Sequence, residues 1–289
     1  MGKIYDRKSG LFYEDKQYGE RALKFLYGNP FGRVILRCFV VGKFYSEYNA
    51  RKNRSPRSIS KIAPFVEEYG IDLNDFESRE FSSFADFFTR KLAPGRRAFS
   101  YDADDLISVA DSKLLCYEIT EDGRIPIKNS IYTAKEIVNE EISDDFYGGY
   151  CLVFRLTVDD YHRYCFFDGG RVLRVKCIKG KLHTVSPISS KRYKVFTENC
   201  RSVSYLDTDN FGECYQIEVG ALLVGRIINH QIVDFSKGDE KGYFEMGGST
   251  VVVMLKKDAV KIDDDILNNS KNGIETKVLV GERIGKKNA

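Results

Sequence analysis

At 289 residues and 33.1 kDa the chain is long enough to bury a sizeable core as one large domain or two small ones, which excludes disorder as its main theme. Hydrophobic residues make up 43% and charged residues 30%, and apolar runs such as 38–42 or 251–255 fall far short of the roughly 18 residues that cross a bilayer, so a transmembrane chain is not expected. The formal net charge of +3, from 45 basic and 42 acidic residues, is too balanced for a protein that binds nucleic acid by neutralising phosphates.

That average hides an asymmetry. Residues 1–61 hold 14 Lys/Arg against 5 Asp/Glu, a net +9, and the remaining 228 residues hold 31 basic and 37 acidic, a net −6. Within the basic arm, Ala22, Leu23, Phe25, Leu26 and Tyr27, then Val34, Ile35, Phe39, Val40, Phe44 and Tyr45, recur at helical spacing among Arg21, Lys24, Arg33, Arg37 and Lys43. Asn29-Pro30, with Gly28 and Gly32, divides the stretch into two short helices. The pattern suits helices lying in an anionic membrane surface, and equally helices whose apolar stripe packs on the rest of the protein. Residues 51–60 read as a polar, basic connection, followed by helices over 60–69 and 83–90, the second opened by Ser83 and Asp86 at capping-box spacing. From about residue 106 the texture is β: runs at 114–119, 150–156, 172–178, 215–219, 222–228, 230–235 and 250–255 are separated by Gly- and Asp-rich turns, which predicts an antiparallel or mixed sheet. The polar carboxy-terminal stretch is expected to form an edge strand and a tail. The fold class is therefore α+β, with a helical, basic region over 1–100 and a β-rich core over 101–289. Nothing at the amino end reads as a secretory signal, so the chain is expected to stay in the cytoplasm.

Seven cysteines, at 38, 116, 151, 165, 177, 200 and 214, include no CxxC pair, which points to reduced thiols and to no metal site. Histidine is scarce, with only His162, His183 and His230. Asp111 in Val-Ala-Asp-Ser-Lys, His162 in Asp-Asp-Tyr-His-Arg-Tyr-Cys and Ser249 in Met-Gly-Gly-Ser-Thr-Val are the parts of an orienter, a base and a nucleophile. Their order alone carries almost no specificity. Asp111 also reads as a turn residue, His162 as a satisfied imidazole near a strand end, and Gly247-Gly248 as a hairpin turn, so spacing stops at a β-rich domain compatible with hydrolytic chemistry.

Seven segments add what spacing lacks. In order they are Phe-Phe-Thr-Arg-Lys-Leu (87–92) with Pro94-Gly95 and Arg96-Arg97, Ala-Asp-Ser-Lys (110–113), Asp-Tyr-His-Arg (160–163), His-Thr-Val-Ser-Pro-Ile (183–188), Phe-Thr-Glu-Asn-Cys-Arg (196–201), Val-Gly-Ala-Leu-Leu-Val-Gly (219–225), and Lys-Gly-Asp-Glu-Lys-Gly-Tyr-Phe running into Gly-Gly-Ser-Thr-Val-Val (237–252). In this order the chain resembles the phosphatidylserine decarboxylases, most closely the variant of clostridia and their relatives. The resemblance implies a self-processing enzyme that converts phosphatidylserine to phosphatidylethanolamine with a pyruvoyl group made from Ser249. It implies that Ser249 Oγ, deprotonated by a histidine held by Asp111, attacks the Gly248 carbonyl and turns the Gly248-Ser249 peptide into an ester. Elimination then frees fragment 1–248 and leaves 249–289 with a dehydroalanine that hydrolyses to pyruvoyl, the two fragments staying associated. The pyruvoyl carbonyl would form a Schiff base with the lipid amine and act as electron sink. His162 is the candidate proton donor.

A lipid substrate makes residues 17–50 the expected contact with phosphatidylserine in an anionic membrane, and the protein peripheral at the cytoplasmic face of the cell membrane. A homodimer is left open. Three departures from the family pattern matter. The second histidine of Tyr-His-Arg-x-His, which pairs with the aspartate for self-cleavage, is Cys165 here, so His162 is expected to take both tasks, with His183 as the alternative carrier. The usual Asp-Gly is Asp111-Ser112, and the usual Val-Gly-Ser ends in Arg226. The alternatives are a non-catalytic membrane-surface protein of the same fold and a pyruvoyl decarboxylase of another lipid headgroup.

Overall fold

The computed structural model of the protein describes residues 2–15, 19–127, 130–185, 187–190, 192–222, 226–246 and 249–288. Its architecture is the α+β arrangement expected, 27% helix and 35% strand. The centre is a ten-stranded sheet whose strands run, edge to edge, Asp234–Phe235, Gly170–Ile178, Arg201–Thr208, Gly212–Val219, Ser249–Leu255, Tyr150–Leu156, Ser112–Glu118, Glu275–Val278, Lys3–Asp6 and Leu11–Glu14. Neighbours are antiparallel except Lys3–Asp6, which runs parallel to Glu275–Val278.

The strand Ser249–Leu255 is apolar without alternation because both of its faces are covered. Val251, Val253 and Leu255 enter one core with Leu152, Phe154 and Leu156, while Val252 and Met254 enter a second with Cys151 and Val153, as the period of two requires. The first face is closed by two three-stranded sheets, Arg226–Asn229 with Glu240–Glu245 and Arg163–Cys165, and Val260–Ile262 with Arg283–Lys287 and Asp105–Ile107. The second is closed by the hairpin Arg124–Ile127 and Ser130–Thr133 and the helix Ala134–Val138.

The basic arm folds into helices Glu20–Gly28 and Pro30–Ile35, a turn of π-helix over Leu36–Val40, and helix Lys43–Arg54. The break falls at Asn29, whose Oδ1 accepts from Phe31 N at 2.8 Å and Gly32 N at 3.3 Å, with Pro30 in the first helical turn. Gly32 is required there, since a Cβ would sit 2.2 Å from the Phe25 carbonyl oxygen. Leu23, Tyr27, Leu36, Val40 and Val41 form their own small core, packed on Ile188, Tyr193 and Leu222. Helix Ile62–Tyr69 follows a 3-10 segment over Pro56–Lys61, and helix Phe84–Phe88 is capped by Ser83, whose side chain accepts from Asp86 N.

The region 1–100, expected to be helical and basic, opens on two strands. Lys3–Asp6 and Leu11–Glu14 are strands that extend the central sheet, because Glu275–Val278 offers them a free edge. The carboxy-terminal stretch is likewise no edge strand and tail. Glu275–Val278 lies inside the large sheet and Arg283–Lys287 in the middle of a small one. Its polar residues are tolerated inside because they are paired: Glu275 takes Arg155 Nε at 2.9 Å and Nη2 at 2.5 Å, and Asp15 takes Nη2 at 2.8 Å. Burial works against the Arg155 charge, and these two carboxylates outweigh it. Of the run 230–235 only Asp234–Phe235 is strand.

Removing Glu275 takes two of the three carboxylate bonds from the buried Arg155 and leaves it Asp15. Glu275→Ala is expected to lower stability by about 3–5 kcal/mol, read as a fall in the urea unfolding midpoint, and an unchanged midpoint contradicts the role given to the pair.

Candidate active site

Ser249 opens the central strand. It pairs with Leu156, and its neighbour Thr250 pairs with Arg155 on one side and Val219 on the other. Arg155 pairs in turn with Lys113, so Thr250, Arg155 and Lys113 form one row across three strands. Asp111, two residues before Lys113, and Ser249, one before Thr250, therefore leave the sheet at the same end, two strand spacings apart, or about 10 Å. Ser249 Oγ is buried and makes no hydrogen bond among the described residues. Gly247 and the cleavage-site residue Gly248 lie outside the described residues, as do 223–225.

The loop after Tyr150–Leu156 brings His162 to this end. Phe244 N donates to the His162 carbonyl at 3.0 Å, and the imidazole packs on Phe88 with ring centroids 4.2 Å apart. The chain from Glu240–Glu245 to Ser249 crosses from the small sheet to the large one just beyond this contact. Met246, on the crossover, has φ +39°, a left-handed conformation that stores about 1–3 kcal/mol in a residue with a side chain. A cavity of about 330 Å³ opens beside it, lined by Ala50, Arg54, Ser83, Thr89, Tyr243 and Glu245 among others.

His162 Nδ1 lies 2.8 Å from the carbonyl oxygen of Asp160. A carbonyl only accepts, so Nδ1 carries the hydrogen. The Asp160 carboxylate is itself held: Lys113 Nζ donates to both oxygens at 2.8 and 2.7 Å, and Thr157 donates from N at 2.7 Å and from Oγ1 at 2.9 Å. Burial opposes the Lys113 charge, and Asp160 with Asp159 outweighs it and raises the ammonium above its ordinary range. Arg90 Nη2 adds a bond to the Asp159 carbonyl at 3.3 Å.

Asp111 has a different partner from the histidine expected. Arg97 donates to it from Nη2 at 2.8 Å and Nε at 3.4 Å, and Val280 N donates at 2.8 Å. Cys165, at the position of the family's second histidine, is sealed into the main core, its Sγ 3.9 Å from the Ser108 carbonyl. Burial, with a contribution from Asp111, pushes its thiol well above the ordinary range, so it remains a neutral thiol and no base. His183 sits elsewhere, stacked on Tyr193 at 4.1 Å with Nδ1 3.4 Å from the Tyr27 hydroxyl, under the first helix of the basic arm. Burial pushes it down to about 4, leaving the imidazole neutral at pH 7. His230 is at the surface, paired with Glu240 at 2.7 Å.

The structure thus gathers Ser249, His162 and Asp111 at one end of the sheet and leaves His183 apart. Sequence reasoning passed over Lys113, Asp160 and Arg97 as site residues. Lys113 and Asp160 are the last and first residues of two quoted segments, but nothing in a chain separation of 47 positions announces an ion pair.

The protein can be compared with known ones. The family model for phosphatidylserine decarboxylase matches residues 84–286. The chain is 54% identical over 286 residues to phosphatidylserine decarboxylase proenzyme 2 of Clostridium acetobutylicum, covering 99% of this chain and 98% of that one. It is 41% identical over 292 residues to the phosphatidylserine decarboxylase proenzyme of Ruminiclostridium cellulolyticum, covering 99% and 97%. It is 39% identical over 287 residues to that of Fusobacterium nucleatum, covering 97% and 96%.

The environment of Cys165 gives a direct test. Native protein treated with iodoacetamide is expected to be labelled at the exposed Cys38 and Cys177 and not at Cys165, which reacts only after denaturation; mass spectrometry reads the sites, and rapid native labelling of Cys165 contradicts its burial.

Proposed function

The chain belongs to the phosphatidylserine decarboxylase family, and on that premise we propose that it cuts itself between Gly248 and Ser249 and then converts phosphatidylserine to phosphatidylethanolamine with residues gathered at the head of its central strand. The observation that carries this reading is the buried Ser249 Oγ, which makes no hydrogen bond among the described residues, at the end of a crossover whose start is bonded to His162. A serine hydroxyl engaged in a structural bond would be a poorer nucleophile. With Nδ1–H given to Asp160, Nε2 is the His162 nitrogen left to move a proton, and it takes the Ser249 proton as Oγ attacks the Gly248 carbonyl. The peptide becomes an ester, and β-elimination expels the Gly248 carboxylate. The dehydroalanine left at 249 takes up water and loses ammonia. The left-handed Met246 lies two residues before Gly248.

The same features fit a pyruvoyl group at position 249, buried and held by strand pairing with Leu156, next to Thr250, which is paired on both sides. The chemistry supplied there is a carbonyl for the substrate amine and an electron sink for the loss of carbon dioxide. His162 returns a proton to the former α-carbon, its ring packed on the buried Phe88. Asp111 takes the role of a fixed negative charge at the end of the sheet, locked by Arg97.

The lipid reaches this site from the basic arm, which we assign to the cytoplasmic face of an anionic membrane. No helix among the described residues is long and apolar enough to cross a bilayer. Phe31 and Phe39 are each 69% exposed and Val34 57% exposed, among exposed Arg21, Lys24 and Arg37, a combination suited to shallow insertion beside anionic headgroups. The cavity beside Met246 joins helix Lys43–Arg54 of this arm to the crossover.

Denaturing electrophoresis of the purified protein is expected to show fragments of 248 and 41 residues, and Ser249→Ala only the intact chain; a wild type that persists as one 33.1 kDa band overturns the reading. His162→Ala is expected to slow cleavage by about 100-fold or more, and His183→Ala to leave it within about threefold. Loss of cleavage in His183→Ala alone would move the base to that residue. Phe31→Ser with Phe39→Ser is expected to weaken cosedimentation with phosphatidylserine vesicles while cleavage proceeds, and unchanged sedimentation removes the arm from the membrane.

A further inference from the structure

His162 needs an orienting partner, and Asp111 is taken by Arg97 and Val280 N. One contact that fixes the ring is the Asp160 carbonyl, a backbone group in the same loop, which holds Nδ1 while Phe88 packs on the ring face. A loop carbonyl holds an imidazole only as firmly as the loop itself is held. Here the side chain of the same residue provides the anchor: the Asp160 carboxylate takes two bonds from Lys113 and two from Thr157. Lys113 Nζ completes the set with Thr157 Oγ1 at 2.5 Å and Asp159 at 3.9 Å. Lys113 belongs to the rigid part of the molecule, since its strand is paired on both sides, with Arg155 and with Lys277. Sheet, ammonium, carboxylate, carbonyl and imidazole thus form one chain of contacts. Displacing Asp160 would leave a buried ammonium short of its counter-ion, which makes this register costly to leave.

We propose that the Lys113–Asp160 ion pair is the positioning device of His162, fixing Nδ1 as the protonated ring nitrogen and leaving Nε2 to act at the Ser249 junction. The inference rests on the assignment of His162 made above. Neither residue touches the reacting atoms, and both act through the imidazole. The arrangement also accounts for a site that works with a buried thiol at position 165, because the ring it uses draws its orientation from the loop and not from the neighbouring aspartate.

The test separates positioning from simple support of the fold. Lys113→Met with Asp160→Asn removes both charges together, so that neither is stranded. Introduced into the Ser249→Ala protein, which remains uncleaved, it is expected to change the ¹⁵N signature of His162 from the Nδ1–H tautomer to a mixture with Nε2–H. In the Ser249 protein it is expected to slow cleavage by about 100-fold, the scale of a misplaced catalytic group. Lys113→Arg, which keeps the charge, is expected to recover most of that loss. Should the double variant fail to fold, Thr157→Val keeps both charges and removes one bond to each; it is expected to slow cleavage about 3- to 10-fold, the share of one hydrogen bond. A folded double variant with an unchanged tautomer, or a Thr157→Val protein that cleaves at the wild-type rate, overturns the proposal. Wild-type cleavage in His162→Ala would instead overturn the assignment of the base, and the tautomer measured in uncleaved protein still decides whether the ion pair sets the ring.

Discussion

The strand Ser249–Leu255 is hydrogen-bonded along its length to Tyr150–Leu156 on one side and to Gly212–Val219 on the other, and every residue of it is buried. The self-cleaving chemistry depends on that constraint. A peptide cut just before such a strand creates a new chain end that cannot leave, because its ladder of bonds and its apolar contacts on two faces are untouched by the cut. The piece beyond the cut also supplies Glu275–Val278 to the large sheet and Val260–Ile262 and Arg283–Lys287 to a small one. With the cut proposed before Ser249, the two fragments would still form one folded body, with the new chain end at the head of a fully buried strand.

Around that end the molecule buries charge in compensated sets. Arg155 is held by Glu275 and Asp15, Lys113 by Asp160, Asp111 by Arg97. In a low-dielectric interior each set resists rearrangement, since moving one member leaves the other without a counter-charge. Rigidity at the sheet end is thus electrostatic as well as apolar. It contrasts with the crossover at Met246, where a left-handed residue introduces local strain between two well-braced elements.

The basic arm is attached to this body through a core of its own, in which Leu23, Tyr27 and Leu36 pack on Tyr193 and Leu222. Its remaining apolar side chains face outward beside Lys and Arg. One set of helices thus both docks on the body through its inner apolar face and carries exposed apolar side chains beside basic ones, the face that the proposed function assigns to lipid.

Much of this was legible in the chain. The apolar run after Gly-Gly-Ser marks a buried strand, the Asn29-Pro30 break marks a capped helix start, and the charge asymmetry marks the arm, because each depends on local conformation or composition alone; the role expected of Ser249 came from the resemblance. The polar run ending in Glu275-Thr276 was misleading for a physical reason: polarity signals exposure unless a partner is buried with it, and that partner, Arg155, lies 120 positions away. The partners of Asp111 and His162 were hidden in the same way. The sequence by itself determined which side chains have the chemistry to cleave and decarboxylate; only the tertiary structure decided that Asp111 answers to Arg97, that Cys165 is sealed in the core, and that His162 is oriented by a carbonyl tied through Asp160 to Lys113. Those choices rest on strand register and on pairing of buried charges, and neither is written in local spacing.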